Sequence, residues 1–344
     1  MIKKLTSAVF AFGMLAAFCV AVESPLPIAW RFNGKVSITP THQVAISNGI
    51  VVAPIGRRVY GLDAATGSQL WMFPPLEEPQ GDFITTPTIV NGVVVVSNTN
   101  RFVYGLDLKT GISKWSMMDN DTVRHILGDE ESAYLFTGDG RIISINASNG
   151  TKAWSTDYEI GDRIVGTPVL TEKNLVFFTT MGRLRAVQTA SKRVVWENRV
   201  QSIPQDPMPY AHDGHVYIVT GSDVARINAR TGSVAGRPLR LPEQLVGAPA
   251  VTSKGGVALT NDAKAYVFDV GMRSFKQEPI ELRGTVAGPA QAAGDNILVR
   301  TRSGTIYLID PSRELHPVIW EYTALPIPGT MRAVSGGTSG TGGS

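Results

Sequence analysis

The sequence predicts an all-β fold, a β-propeller of seven four-stranded blades with room for an eighth. Three observations predict it. A unit of about forty residues recurs along the chain, each unit alternates apolar and polar residues, and a tryptophan closes several of the copies. The clearest copies are VYGLDAATGSQLW ending at Trp71, VYGLDLKTGISKW ending at Trp115 and IISINASNGTKAW ending at Trp154. The series continues as LRAVQTASKRVVW ending at Trp196, VARINARTGSVAG, AYVFDVGMRSF and IYLIDPSRELHPVIW ending at Trp320.

Aligning the polar residue that closes the third strand of each unit selects Asp63, Asp107, Asn146, Gln188, Asn228, Asp269 and Asp310. The steps between them are 44, 39, 42, 40, 41 and 41 residues. That period, with short runs rich in Val, Ile and Tyr and glycine-containing turns between them, describes propeller blades rather than helical repeats. No amphipathic helix is legible after residue 22.

In the second unit, the turn Asn91-Gly92 precedes a strand from Val93 to Ser97. The turn from Asn98 to Arg101 precedes the next strand, Phe102 to Asp107, and an Asp-x-x-Thr-Gly turn (Asp107, Thr110, Gly111) leads to an outer strand carrying Trp115. The aspartate supplies an acceptor for the turn's N–H groups, and glycine takes the positive φ that such a turn requires. The recurrent tryptophan covers the outer part of one blade and packs on the next. Trp30, in AWRF, has the same look with no complete blade before it, so an N-terminal strand is expected to close the ring near Trp320.

The ends of the 344-residue chain read differently. Lys3 and Lys4 precede an apolar run from Ala8 to Val22, a signal-peptide pattern over residues 1–21 with Cys19-Val20-Ala21 as the cleavage site. The propeller is assigned to 22–326, and 327–344, running into VSGGTSGTGGS, to a Gly/Ser-rich tail that lacks the apolar content for strands. Cys19 is the only cysteine, so cleavage leaves no thiol for disulfides, thiolate metal sites or cysteine nucleophiles. Removal of the two lysines takes the net charge from +3 to +1, which argues against nucleic acid as a partner.

The Leu-Asp-x-x-Thr-Gly-x-x-x-Trp units resemble the tryptophan-docking repeats of pyrroloquinoline-quinone propellers over roughly residues 30 to 322. Within that group the stretch Asp82-Phe83-Ile84-Thr85-Thr86-Pro87, followed by TIVNGVVVVS and YGLDLKTG, is similar to the BamB-like family of outer-membrane protein assembly factors. The resemblance implies a non-catalytic periplasmic scaffold that binds the barrel-inserting subunit of the assembly machinery through loops on one face. The resemblance further implies a place peripheral to the outer membrane or lipid-anchored there, and not an integral membrane protein. The family is usually eight-bladed and lipidated, whereas seven units are counted here and Phe18 precedes Cys19.

A quinoprotein dehydrogenase shares the repeat. That resemblance implies a vicinal cysteine pair over the quinone and carboxylate and amide ligands for calcium, and the mature chain has no cysteine pair. No Gly-x-Ser-x-Gly elbow is present. His212-Asp213-Gly214-His215 reads as a hairpin turn in the place of Asn48-Gly49 and Asn91-Gly92, rather than as a metal site. The expectation is therefore no catalytic residue, no cofactor and no metal. A sensor or carrier holding a small molecule or glycan in the axial channel is the reading from another class.

The candidate partner-binding residues fall into two groups. One is the segment Asp82, Thr85 and Thr86. The other is a basic residue in the turn between second and third strands: Arg57 and Arg58, then Arg101, Arg141, Arg183, Lys264 and Arg302, with Asp223 breaking the series. Equivalent turns of a propeller share a face, so these cations are expected to form a basic ring facing a partner's carboxylates. The longer connections Pro74 to Asp82 and Ser202 to Tyr210 are expected on the opposite face.

Overall fold

The computed structural model describes residues 43–76 and 81–323. In it, seven four-stranded antiparallel sheets follow one another along the chain, covering residues 45–73, 88–118, 123–159, 164–199, 210–240, 250–281 and 291–323. We call them blades 1 to 7. In each blade the strands lie side by side in chain order, the up-and-down meander that the repeat predicts. In blade 2 the second strand is Val93–Ser97, the third Phe102–Asp107 and the fourth Ser113–Met118, matching the sequence reading at each shared boundary.

Blades are held to one another by apolar cores between them. Val59, Trp71 and Phe83 meet Val94 and Leu106 between blades 1 and 2. Comparable clusters join blades 2 and 3, 3 and 4, 4 and 5, 5 and 6, and 6 and 7. The facing sides of neighbouring blades are thereby removed from water, the dominant favourable term for such a stack. On the other side of blade 1, Val51, Tyr60 and Leu62 form a cluster of their own. Trp30 and the strand expected to close the ring lie outside the described residues, as do the signal peptide, Cys19 and the Gly/Ser-rich tail.

The repeated polar residue does the work assigned to it. Asp63 Oδ1 accepts from the N–H groups of Ala65 and Thr66 at 3.0 and 2.7 Å, and Asp107 Oδ1 from Lys109 and Thr110 at 3.1 and 3.0 Å. Asn146, Asn228, Asp269 and Asp310 each hold a turn in the same way, and Gln188 accepts from the Ser191 hydroxyl. The hydrogen bond of the Thr66 hydroxyl holds the Asp63 carboxyl below its ordinary value, so the turn acceptor stays ionised at neutral pH.

Tryptophan docking is equally regular in blades 1 to 4. The indole N–H groups of Trp71, Trp115, Trp154 and Trp196 donate across the blade boundary to the carbonyls of Leu108, Ala147, Thr189 and Ala229, at 2.8 to 2.9 Å. The rings of Trp71, Trp115 and Trp196 lie against Gly111, Gly150 and Gly232 of the next blade, where a Cβ would come within 2.7 Å of the ring. Blades 5 and 6 have no such tryptophan; Val234 and Phe275 bridge back to their third strands instead.

Antiparallel meanders put the turn between second and third strands on the same side as the connection from the fourth strand to the next blade. The hydrogen bonds show it: Phe83 N–H donates to Gly56 C=O, Thr99 N–H to Asp82 C=O, and Gly221 N–H to Ser202 C=O. The described ends of the connection from Pro74 to Asp82, and the connection from Ser202 to Tyr210, therefore share the face of the basic turns. This corrects the expectation of opposite faces: a four-strand blade ends on the side where its second hairpin turns. In the second of these connections Pro207 C=O accepts from Thr167 N–H at 3.0 Å, close against Gly166. Gly166 has φ +70°, and a Cβ there would lie 1.8 Å from that oxygen. Gly166→Ala is expected to cost more than about 1 kcal/mol in chemical denaturation.

Candidate functional site

The face just defined carries every candidate residue from the sequence, and their surroundings differ sharply. Asp82 is exposed and lies 3.9 Å from the Arg57 guanidinium, joining the two groups of candidates at one point. Its N–H donates to the Thr99 hydroxyl and its C=O accepts from Thr99 N–H, which pins the connection to the neighbouring turn. Thr86 is exposed. Thr85 is 1% exposed, and its hydroxyl accepts from Ser97 N–H at 3.0 Å, so it stabilises blade 2 instead of facing a partner.

The basic turns do not make a uniform ring of open cations. Arg141 is the extreme case, with a guanidinium 14% exposed and set among the carboxylates of Asp119, Asp139 and Asp157 at 2.5, 2.9 and 3.2 Å. Its hydrogen bond to Asp119 leads the causes that raise its pKa, and it stays charged throughout. Burial pushes the Asp139 carboxyl up, but the Thr137 hydroxyl and Arg141 outweigh it and the net shift is downward.

Arg183 pairs with Glu197 at 2.7 Å, and Lys264 with Asp262 at 3.2 Å and Glu281 at 3.6 Å. Arg58 donates to Met72 Sδ and Pro74 C=O, both at 3.0 Å. Arg101 is exposed and donates to Asn120 C=O, and Arg302 is exposed. Arg240, paired with Asp223 at 3.0 Å, places a cation in blade 5 where the series of basic turns is broken.

The structure thus leaves exposed Arg57, Asp82, Thr86, Arg101, Arg183 and Arg302 for contact, and ties Thr85 and Arg141 into the fold. Sequence reasoning missed Asp119 and Asp157 as the partners of Arg141, because they come from a connection and from the irregular segment before Tyr158–Glu159, 22 and 16 residues away. It also passed over the apolar Met181 and Leu76, 65% and 88% exposed, in a turn and a connection on this face. Elsewhere, His212 and His215 face each other across the two-residue turn at Asp213-Gly214. Among the described residues no three His, Cys, Asp or Glu side chains gather into a metal site. No helix among them is long and apolar enough to cross a membrane.

Residues 27–237 and 138–273 match the family described as outer membrane protein assembly factor BamB. The chain belongs to the BamB family. Among solved structures, BamB from Moraxella catarrhalis superposes with a TM-score of 0.64 at 17% identity, over 84% of this chain and 89% of that one. The computationally designed Ika8 protein gives 0.66 at 13% identity, over 82% and 86%. KlHsv2, with its loop 6CD replaced by a Gly-Ser linker, gives 0.58 at 10% identity, over 76% and 88%. At these identities the likenesses show the propeller fold alone. No curated protein matches the chain.

Proposed function

We propose that this BamB-family propeller is a non-catalytic scaffold of a bacterial periplasm, binding a component of the outer-membrane protein assembly machinery, with the barrel-inserting subunit as the partner. The face that gathers the blade-to-blade connections carries the contact. The observation that supports this reading is the convergence of Arg57, Asp82, Thr86 and Arg101 on one face of a chain in that family. Connections positioned by a rigid scaffold are where binding residues concentrate, and exposed charges of both signs favour steering and register over raw affinity.

A crosslinked pull-down of the tagged protein from native envelopes tests it, comparing wild type with Asp82→Arg and with Arg101→Glu/Arg302→Glu. The expected result is capture of an outer-membrane assembly subunit by wild type, with at least a several-fold loss in one variant whose far-ultraviolet spectrum is unchanged. Recovery of no envelope assembly component by the wild type would overturn the assignment.

A further inference from the structure

Blade 3 departs from its neighbours in a way that opens a groove on the face opposite the proposed docking face. In blades 1 and 2 the tryptophan lies over a glycine of its own third strand, with Gly61 paired to Trp71 and Gly105 to Trp115. A Cβ at either glycine would meet the ring at about 2 Å. The equivalent residue of blade 3 is Ser144, and here the outer strand breaks. Lys152 bridges to Ile145, Ala153 N–H donates to Ser144 C=O, and the chain leaves the sheet until Tyr158–Glu159 rejoins it at Ile142 and Arg141. A cavity of about 780 Å³ opens between blades 3 and 4, lined by Ser144, Trp154 and the first hairpin turns of both blades.

Two features show that the groove is suited to a ligand. Ser144 is 2% exposed and lines it, and its hydroxyl makes no hydrogen bond among the described residues. A hydroxyl left without a protein partner in the groove lining can take one from an occupant. The charges of the lining are also uneven: Asp129, Glu130, Glu131 and Glu172 stand against Lys173. Asp129 is fixed by the Tyr134 hydroxyl at 2.6 Å and Glu172 is paired with Arg230, while Glu130 and Glu131 are exposed. A second cavity of about 540 Å³ lies beside it, sharing Glu172 and Lys173 and reaching Arg230 of blade 5, so the two together offer more length than one small amine requires.

We infer that this groove binds a short extended peptide segment carrying lysine or arginine, whose cation meets Glu130 and Glu131 and whose amide groups reach the Ser144 hydroxyl. The site is independent of the docking face, so either assignment stands if the other fails.

The test is fluorescence anisotropy on the full chain with a labelled Lys-Val-Lys-Val-Lys-Val peptide, its Glu-for-Lys counterpart, and spermidine as competitor. Expected are saturable binding of the basic peptide only, at least a tenfold weakening in Glu130→Lys/Glu131→Lys, and a smaller loss in Ser144→Ala. Glu314→Lys, at an exposed position of blade 7, should leave binding unchanged. Equal binding by the charge-reversed variant, no binding of the basic peptide up to millimolar concentration, or full displacement by equimolar spermidine would each overturn the inference.

Discussion

Replacing Arg141 by alanine is expected to lower the stability of the propeller by about 3–5 kcal/mol, because it leaves Asp119 and Asp139 without their cation and Asp157 with Lys152 alone. Asp119 and Asp157 are only 10% and 15% exposed, so water compensates little. Urea denaturation at pH 7 checks the magnitude. The pH dependence checks the cause. Asp139 has a depressed pKa in the folded protein, so its stabilisation is present above the ordinary carboxylate value of about 4 and is lost as pH falls through the folded value. The deficit of the Arg141→Ala variant should therefore be largest near neutrality and shrink below about pH 4, as Asp139 takes up its proton. A deficit that stays constant between pH 7 and pH 3.5 would show that packing, not charge, makes Arg141 important.

Trp71→Ala should cost about as much, some 3–5 kcal/mol, since the side chain is buried in the core between blades 1 and 2. Trp71→Phe separates the contributions. It keeps part of the apolar surface and removes the indole N–H that bonds Leu108 C=O at 2.9 Å together with part of the fused ring, so about 2 kcal/mol is expected. Equal losses in the two variants would contradict the docking account. Gly111 of the next blade lies against this ring, so Gly111→Ala should be coupled to Trp71→Phe in a double-mutant cycle.

The blades were legible because their punctuation is chemical. Asp107, Thr110 and Gly111 bond within one turn, and a five-residue signal suffices to read them. Copies that lost the tryptophan, at Val234 and Phe275, remained legible through the turn acceptors Asn228 and Asp269. What the sequence hid was long-range. The pairing of Arg141 with Asp119 joins a turn to a connection, and a list of basic turn residues cannot distinguish it from exposed Arg101 or Arg302. Thr85 hid for a similar reason: a hydroxyl in a surface-like connection is folded under to reach Ser97 N–H. The groove in blade 3 left one trace, serine at the position where Gly61 and Gly105 stand, but its meaning depends on where the tryptophan ring lies.

The division of labour between the faces follows from the same geometry. Connections between blades and the turns beside them offer exposed Asp82, Thr86, Arg101 and Arg302, whereas the opposite face is built of short turns stitched by Asp63, Asp107 and their equivalents. Charge changes at exposed Asp82, Arg101 and Arg302 should alter partner binding with little effect on stability, and changes at the turn aspartates the reverse.

The most direct test of the scaffold assignment is a photo-crosslinking scan in intact cells, with a benzophenone side chain placed singly at Thr86, Arg101 and Arg302 on one face and at Lys109 and Asn149 on the other. The account predicts adducts with one outer-membrane assembly component from the first set and none with it from the second. Adducts with that component from Lys109 and Asn149 alone, or none from any position, would contradict it.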